Sequence, residues 1–160
     1  MKDYLFYTVY DAQEYEKMIK DLERCFRSSP EYRKWLSTIK RDVCAATGLT
    51  YDEDNAPIEI HHYHKTLYDI CQSVIDYFLD NQLPLNVLYL SFVVFDLHMS
   101  GCVTYVPLLH CIHKMLHENQ DQVLMKYPSI EENIIHEKSN MENILDYHKD
   151  MLLNHFKLEK

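Results

Sequence analysis

The chain has 160 residues, enough for one compact domain with a helical extension and a real core. Hydrophobic residues make up 47% and charged residues 26%, and the formal charge of −9 argues against a generic nucleic-acid coat, because phosphate binding needs positive charge. Gly48 and Gly101 are its two glycines, which excludes a Gly-rich phosphate loop. The longest apolar stretch, Leu85 to Phe95, is too short to span a bilayer, and Met1 to Tyr4 open no signal-peptide pattern, so a cytoplasmic protein is expected. Cys25, Cys44, Cys71, Cys102 and Cys111 form no CxxC pair and read as reduced, mostly buried thiols.

In chain order, Tyr4 to Tyr10 alternates loosely and suggests a short strand or an extended lead-in. Asp11 can cap a helix to Phe26, along which Tyr15, Met18, Ile19, Leu22 and Phe26 recur at helical spacing. Ser29 and Pro30 have the chemistry of a helix restart, with the second helix running through Trp35 to about Val43. Thr47-Gly48 signals a turn, Asp52 to Pro57 a polar loop, and Ile58 to Ile60 alternates as a strand does. These segments predict a local hairpin whose second strand ends at His61-His62. Helical spacing returns from Thr66 to Asn81, and Asp69 is placed to pair with Lys65. Pro84 breaks the chain, Asn86 to Met99 predicts a buried helix, and Gly101 a turn. Cys102 to Val106 follows as a short strand, Leu109 to Asn119 as a helix, and Pro128-Ser129 opens one amphipathic, acidic helical tail to about Phe156. That tail covers a core or pairs with a second copy of the chain.

Two histidine groups carry the chemistry. His61-His62 ends a strand, where successive side chains point to opposite faces. His113 and His117 are four apart in a helix and share a face, the spacing of helical metal-binding pairs. Neutral imidazole ligates zinc, nickel, copper or iron and titrates near neutrality. A basic strip, Arg24, Arg27, Arg33, Lys34, Lys40 and Arg41 against Glu31 alone, offers a phosphate-contacting face or a solvated helix surface. Glu59 is placed to orient a site histidine by hydrogen bonding. His98, His136, His148 and His155 read as surface or tail residues.

The run Asp42 to Gly48, then Ile58-Glu59-Ile60-His61-His62 and Thr66 to Ile70, resembles the first half of an HNH (His-Me finger) endonuclease of phage type. Val106-Pro107-Leu108 followed by His113-Lys114-Met115-Leu116-His117 resembles the second half. The resemblance implies an α+β protein, mainly helical with a small β-hairpin. Its residues 1–43 would be an N-terminal helical segment, 44–120 a ββα-metal core with a helical insert at 66–99, and 121–160 a helical tail. It implies hydrolysis of DNA phosphodiester bonds, with His62 as general base, His61, His113 and His117 as ligands of one divalent ion, and Thr104 where the family has a loop-bracing Asn. Mg²⁺ or Mn²⁺ is the first expectation for that ion, with Zn²⁺ or Ni²⁺ suited to the imidazoles. Arg27, Arg33, Arg41, His64 and His110 are the candidate DNA contacts, in the cytoplasm of a bacterial or phage-infected cell. The zinc knuckles of many members are replaced by Cys44 and Thr47 in one place and Leu109 and Ile112 in the other, so no structural zinc is expected there. Two alternatives stand beside this reading. One is an inactive scaffold of the same fold that holds DNA or a protein; the other is a helical interaction protein with coincidental histidines.

Overall fold

In a computed structural model, which describes residues 6–7, 9, 11–50 and 57–158, the chain divides into two units, each made of segments distant in sequence. The fold class is α+β, mainly helical with a small antiparallel sheet, as expected.

The first unit comprises residues 1–38, 65–102 and 138–160. Strand β1 (Phe6–Tyr7) pairs antiparallel with β3 (Leu85–Asn86). Helix α1 (Ala12–Ser28) starts at Asp11, whose carboxylate accepts the Glu14 N–H at 2.8 Å, and it buries Met18, Ile19, Leu22 and Phe26. Helix α2 (Pro30–Thr38) restarts as Ser29 Oγ accepts the Tyr32 N–H at 3.0 Å. It ends at Thr38, earlier than the spacing suggested, after burying Trp35. Helix α3 (Leu67–Asp80) carries a full capping box between Thr66 and Asp69, so Asp69 serves the helix terminus rather than an ion pair with Lys65. Helix α4 (Val87–Met99), capped by Asn86, buries Leu90, Val93, Val94 and Leu97 yet is apolar on its outer face too.

Helix α8 (Met141–Leu158) completes this unit, burying Leu145 and His148. The His148 ring is held between Tyr89 Oη, 2.9 Å from Nδ1, and Asp96 Oδ2, 3.0 Å from Nε2. Because the carboxylate accepts, Nε2–H donates to Asp96 and Nδ1 accepts from the Tyr89 hydroxyl. His98 is buried between Phe26 and Trp35, with ring centroids 4.7 and 4.5 Å away. Both histidines read as surface residues in the sequence. They sit inside because each finds a polar partner there, which for His98 is the Val94 carbonyl, 2.7 Å from Nδ1.

The second unit comprises residues 39–64 and 103–137. Strand β2 (Ile58–His62) pairs antiparallel with β4 (Tyr105–Leu109), in a register from Ile58 opposite Leu109 to His62 opposite Tyr105. This corrects the expected local hairpin. Within this unit, pairing before β2 is limited among the described residues to one bridge, Val43 with Thr50, and the real partner arrives more than 40 residues later. The strand expected at Cys102 to Val106 is shifted to β4, and the expected polar loop lies, up to Ala56, outside the described residues.

Helix α5 (His110–Glu118) follows β4 directly, then α6 (Gln120–Lys126) and α7 (Ser129–Glu132). The tail is therefore not one helix from Pro128. Asn119 caps α6, and Ile135 bridges back to Tyr105 before the chain leaves for α8. The core gathers Cys44, Ile58, Tyr63, Val106, Leu108 and Ile112.

Candidate metal centre

The site grows from the alternation of β2. Ile58, Ile60 and His62 are buried, whereas Glu59 and His61 lie half-buried on the opposite face. Helix α5 presents His110, His113 and His117 at offsets of three and four, and Glu59 and His61 meet them. The His61 ring lies 5.1 Å from that of His113 and 5.0 Å from that of His117. Each of the three offers one imidazole nitrogen, and these nitrogens all fall within 4.8 Å of one another.

Glu59 sets the orientation. One carboxylate oxygen lies 2.6 Å from His113 Nδ1 and the other 3.0 Å from His110 Nδ1. A carboxylate only accepts, so His113 carries its proton on Nδ1 and turns a lone pair on Nε2 into the cluster. That Nε2 is 3.0 Å from Nε2 of His117. Two imidazoles on one zinc at about 2.0–2.1 Å are roughly 3.3 Å apart, so the pair is close to ligating geometry. Burial works against the Glu59 charge, but the bonds from His113 and His110 outweigh it and hold the carboxyl below its usual range. Burial, and then the electrostatic influence of the neighbouring His113 and His117, push His61 down to about 4, so its ring is neutral and can donate a lone pair.

His62 belongs to the other face of the strand and is buried, outside the cluster. The Thr104 hydroxyl donates to Glu137, and its carbonyl accepts from the Tyr63 N–H at 2.9 Å. Glu137 escaped the sequence reading because nothing in its local pattern ties it to a residue 33 positions earlier.

The basic residues fall in different units. Arg27 pairs with Glu23 at 2.9 Å and Arg33 reaches the Ser28 carbonyl, both in the first unit. Arg41, His64 and His110 belong to the second, with His64 exposed at a left-handed φ of 64°. Where the resemblance placed a zinc knuckle, Cys44 is buried and its Sγ accepts the Leu109 N–H at 3.3 Å. Burial opposes its ionisation, yet bonds from the Thr47 side chain and from the N–H groups of Leu109, Thr47 and Ala46 draw the thiol below its usual range.

The family model of bacteriophage G278-like virion proteins matches residues 1–157. No curated protein and no solved structure matches the chain. The chain belongs to the G278-like virion protein family, and this overturns the expected function of a metal-dependent DNA endonuclease with His62 as its base. The short runs that resemble an HNH enzyme are local, whereas the family match covers nearly the whole chain. Among the described residues no helix is long and apolar enough to cross a membrane.

Proposed function

We propose that this chain is a structural component of the phage particle and that its second unit is stapled by one zinc-class divalent ion on His61, His113 and His117. The carrying observation is the convergence, within 4.8 Å, of three imidazole nitrogens from β2 and α5. An all-nitrogen donor set suits zinc or nickel better than magnesium, which prefers oxygen and keeps its waters. Zinc therefore takes precedence over the magnesium or manganese that the sequence resemblance implied.

Size supports a staple. The second unit has only about 60 residues, and cores this small are marginal without a metal, a disulfide or a partner. Its cysteines, Cys44 and Cys111, are free. An ion on three histidines would tie β2 to a helix about 50 positions later in the chain and close that loop. Three protein ligands leave a fourth position for water or for a donor atom of a neighbouring virion protein.

Two measurements test the reading. Mass spectrometry of purified particles is expected to find the chain at stoichiometric levels, and its absence from them removes the structural role. Stripped protein titrated with Zn²⁺ is expected to bind one ion, and His113→Ala to lose at least roughly 100-fold in affinity. With free metal at about 1,000 times Kd, the ion should add roughly 4 kcal/mol to the stability of the second unit, lost again on chelation. Equal zinc binding by the wild type and His113→Ala overturns the staple.

A further inference from the structure

The outer face of α4 raises a separate question within the first unit. A soluble helix normally turns charge to water. Here Leu88 is 48%, Phe92 52% and Met99 43% exposed, with Phe95 half-buried between them. Their spacing is four, three and four residues, the rhythm of the apolar seam in a two-stranded coil. On α8, Tyr147 is 61% and Met151 42% exposed, one helical turn apart. Tyr147 stands edge-on to His148 at 5.5 Å, and His148 is bonded to α4. At roughly 200 Å² for a large side chain fully exposed, the five most exposed of these residues leave on the order of 500 Å² of apolar surface. That is near the top of what monomers show and more than half of the roughly 800 Å² that each partner buries in a standard interface.

We infer that this face pairs with the same face of a second copy of the chain, α4 against α4 in parallel. Charge selects the occupant and its direction. Along one edge of the seam, Lys34 of α2 lies 5.9 Å from the centroid of the Phe95 ring. Along the other edge stands Asp96, its side chain 44% exposed beside His148. A two-fold axis running along the helices brings each Lys34 edge onto the Asp96 edge of the other copy and sets Arg33 and Lys34 near the exposed ring of Tyr147, where a cation–π contact forms. An antiparallel pair would put like edges together. The parallel pair is thus self-complementary in both apolarity and charge, as an isologous interface requires. The seam is made mainly by α4, with α8 at its rim, so the expected pairing through the C-terminal helix alone is refined. No residue of this face belongs to the histidine cluster, so pairing and zinc binding stand or fall independently.

Sedimentation and light scattering of the full chain at tens of micromolar test it. The wild type is expected as a dimer, and Phe92→Glu, which leaves the core untouched, as a folded monomer with at least about 30-fold weaker association. Lys34→Glu should weaken pairing by roughly tenfold. Direction is read by Met99→Cys in a Cys111→Ser background, which should crosslink to itself under mild oxidation because equivalent seam positions face each other in a parallel pair. A wild type that stays monomeric, its apolar face then serving another virion component, overturns the inference. So does a dimer unaffected by Phe92→Glu. Crosslinking of Met99→Cys only when mixed with Leu88→Cys overturns the parallel arrangement.

Discussion

The two units of this protein are held together by different means. The first is built from long helices whose apolar positions recur every three or four residues, and its polar interior groups include His98 and His148, each with its own partner. The second is built around a two-stranded sheet whose strands are more than 40 residues apart, and Glu59 and three histidines gather on one face of β2 and α5. The difference teaches that one chain can rely on local pattern in one place and on contacts between distant segments in another. Metal and mutation should therefore act on the two units separately.

The largest effect in the first unit is expected with pH. Burial pushes His98 down to about 4, against the help of its bond to the Val94 carbonyl, and the nearby Arg27 charge adds to the depression. A neutral ring is favoured in the fold, so the unfolded chain takes up the proton first. Stability is full above about pH 6.5 and is lost as pH falls toward 4, by about 3 kcal/mol at pH 4. His148, also depressed by burial though its Asp96 bond resists, acts in the same direction. Trp35, the single tryptophan, touches the His98 ring and reports on this unit. Denaturant melts followed by Trp35 fluorescence should show the loss, and His98→Phe should remove most of it. If His98→Phe loses as much stability on acidification as the wild type, the buried ring is not the acid-labile group.

A smaller effect is expected at Glu59 and confined to the second unit. Glu59→Gln keeps the shape but weakens the acceptor that fixes the proton on His113 Nδ1. Zinc affinity should fall between about 10- and 100-fold, or roughly 1.4–2.7 kcal/mol. Isothermal titration measures it, and Trp35 fluorescence should not change. An unchanged affinity would mean that the ligand ring is held by packing alone.

This contrast also explains what could be read from the sequence. Asp11 and Ser29 announced the starts of two helices, because a cap bonds to a residue three positions away, whereas the caps Thr66 and Asn86 were reached through helical spacing. His113 and His117 announced a shared face for the same reason, and the HH pair brought His61 into the reading as their companion. The partner of β2 stayed hidden, because pairing Ile58 with Leu109 is decided by burial and not by neighbours. The single expected tail hid a break for a similar reason, since the bridge of Ile135 to Tyr105 is invisible in helical periodicity. The inside positions of His98 and His148 could have been found: His98 stands four after Val94 on a buried face, and His148 three after Leu145. Function was harder still. The motif runs are short, and only the match over residues 1–157 placed the chain among virion proteins.

The smallest expected effect tests whether the first unit really spreads its stability over local contacts. Thr66 Oγ accepts the Asp69 N–H at 3.2 Å while the Asp69 carboxylate accepts the Thr66 N–H at 2.8 Å, so two terminal donors of α3 are satisfied reciprocally. Thr66→Ala removes one of those acceptors at an exposed position and should cost about 1 kcal/mol, the usual worth of an N-cap. Thr66→Ser keeps the oxygen and should cost a few tenths at most. The loss should appear in the Trp35 melt with zinc affinity unchanged, because Thr66 and the histidines belong to different units. A Thr66→Ala variant that weakens zinc binding would show that the units unfold as one body, and the contrast between them would then lie in their construction and not in their energetics.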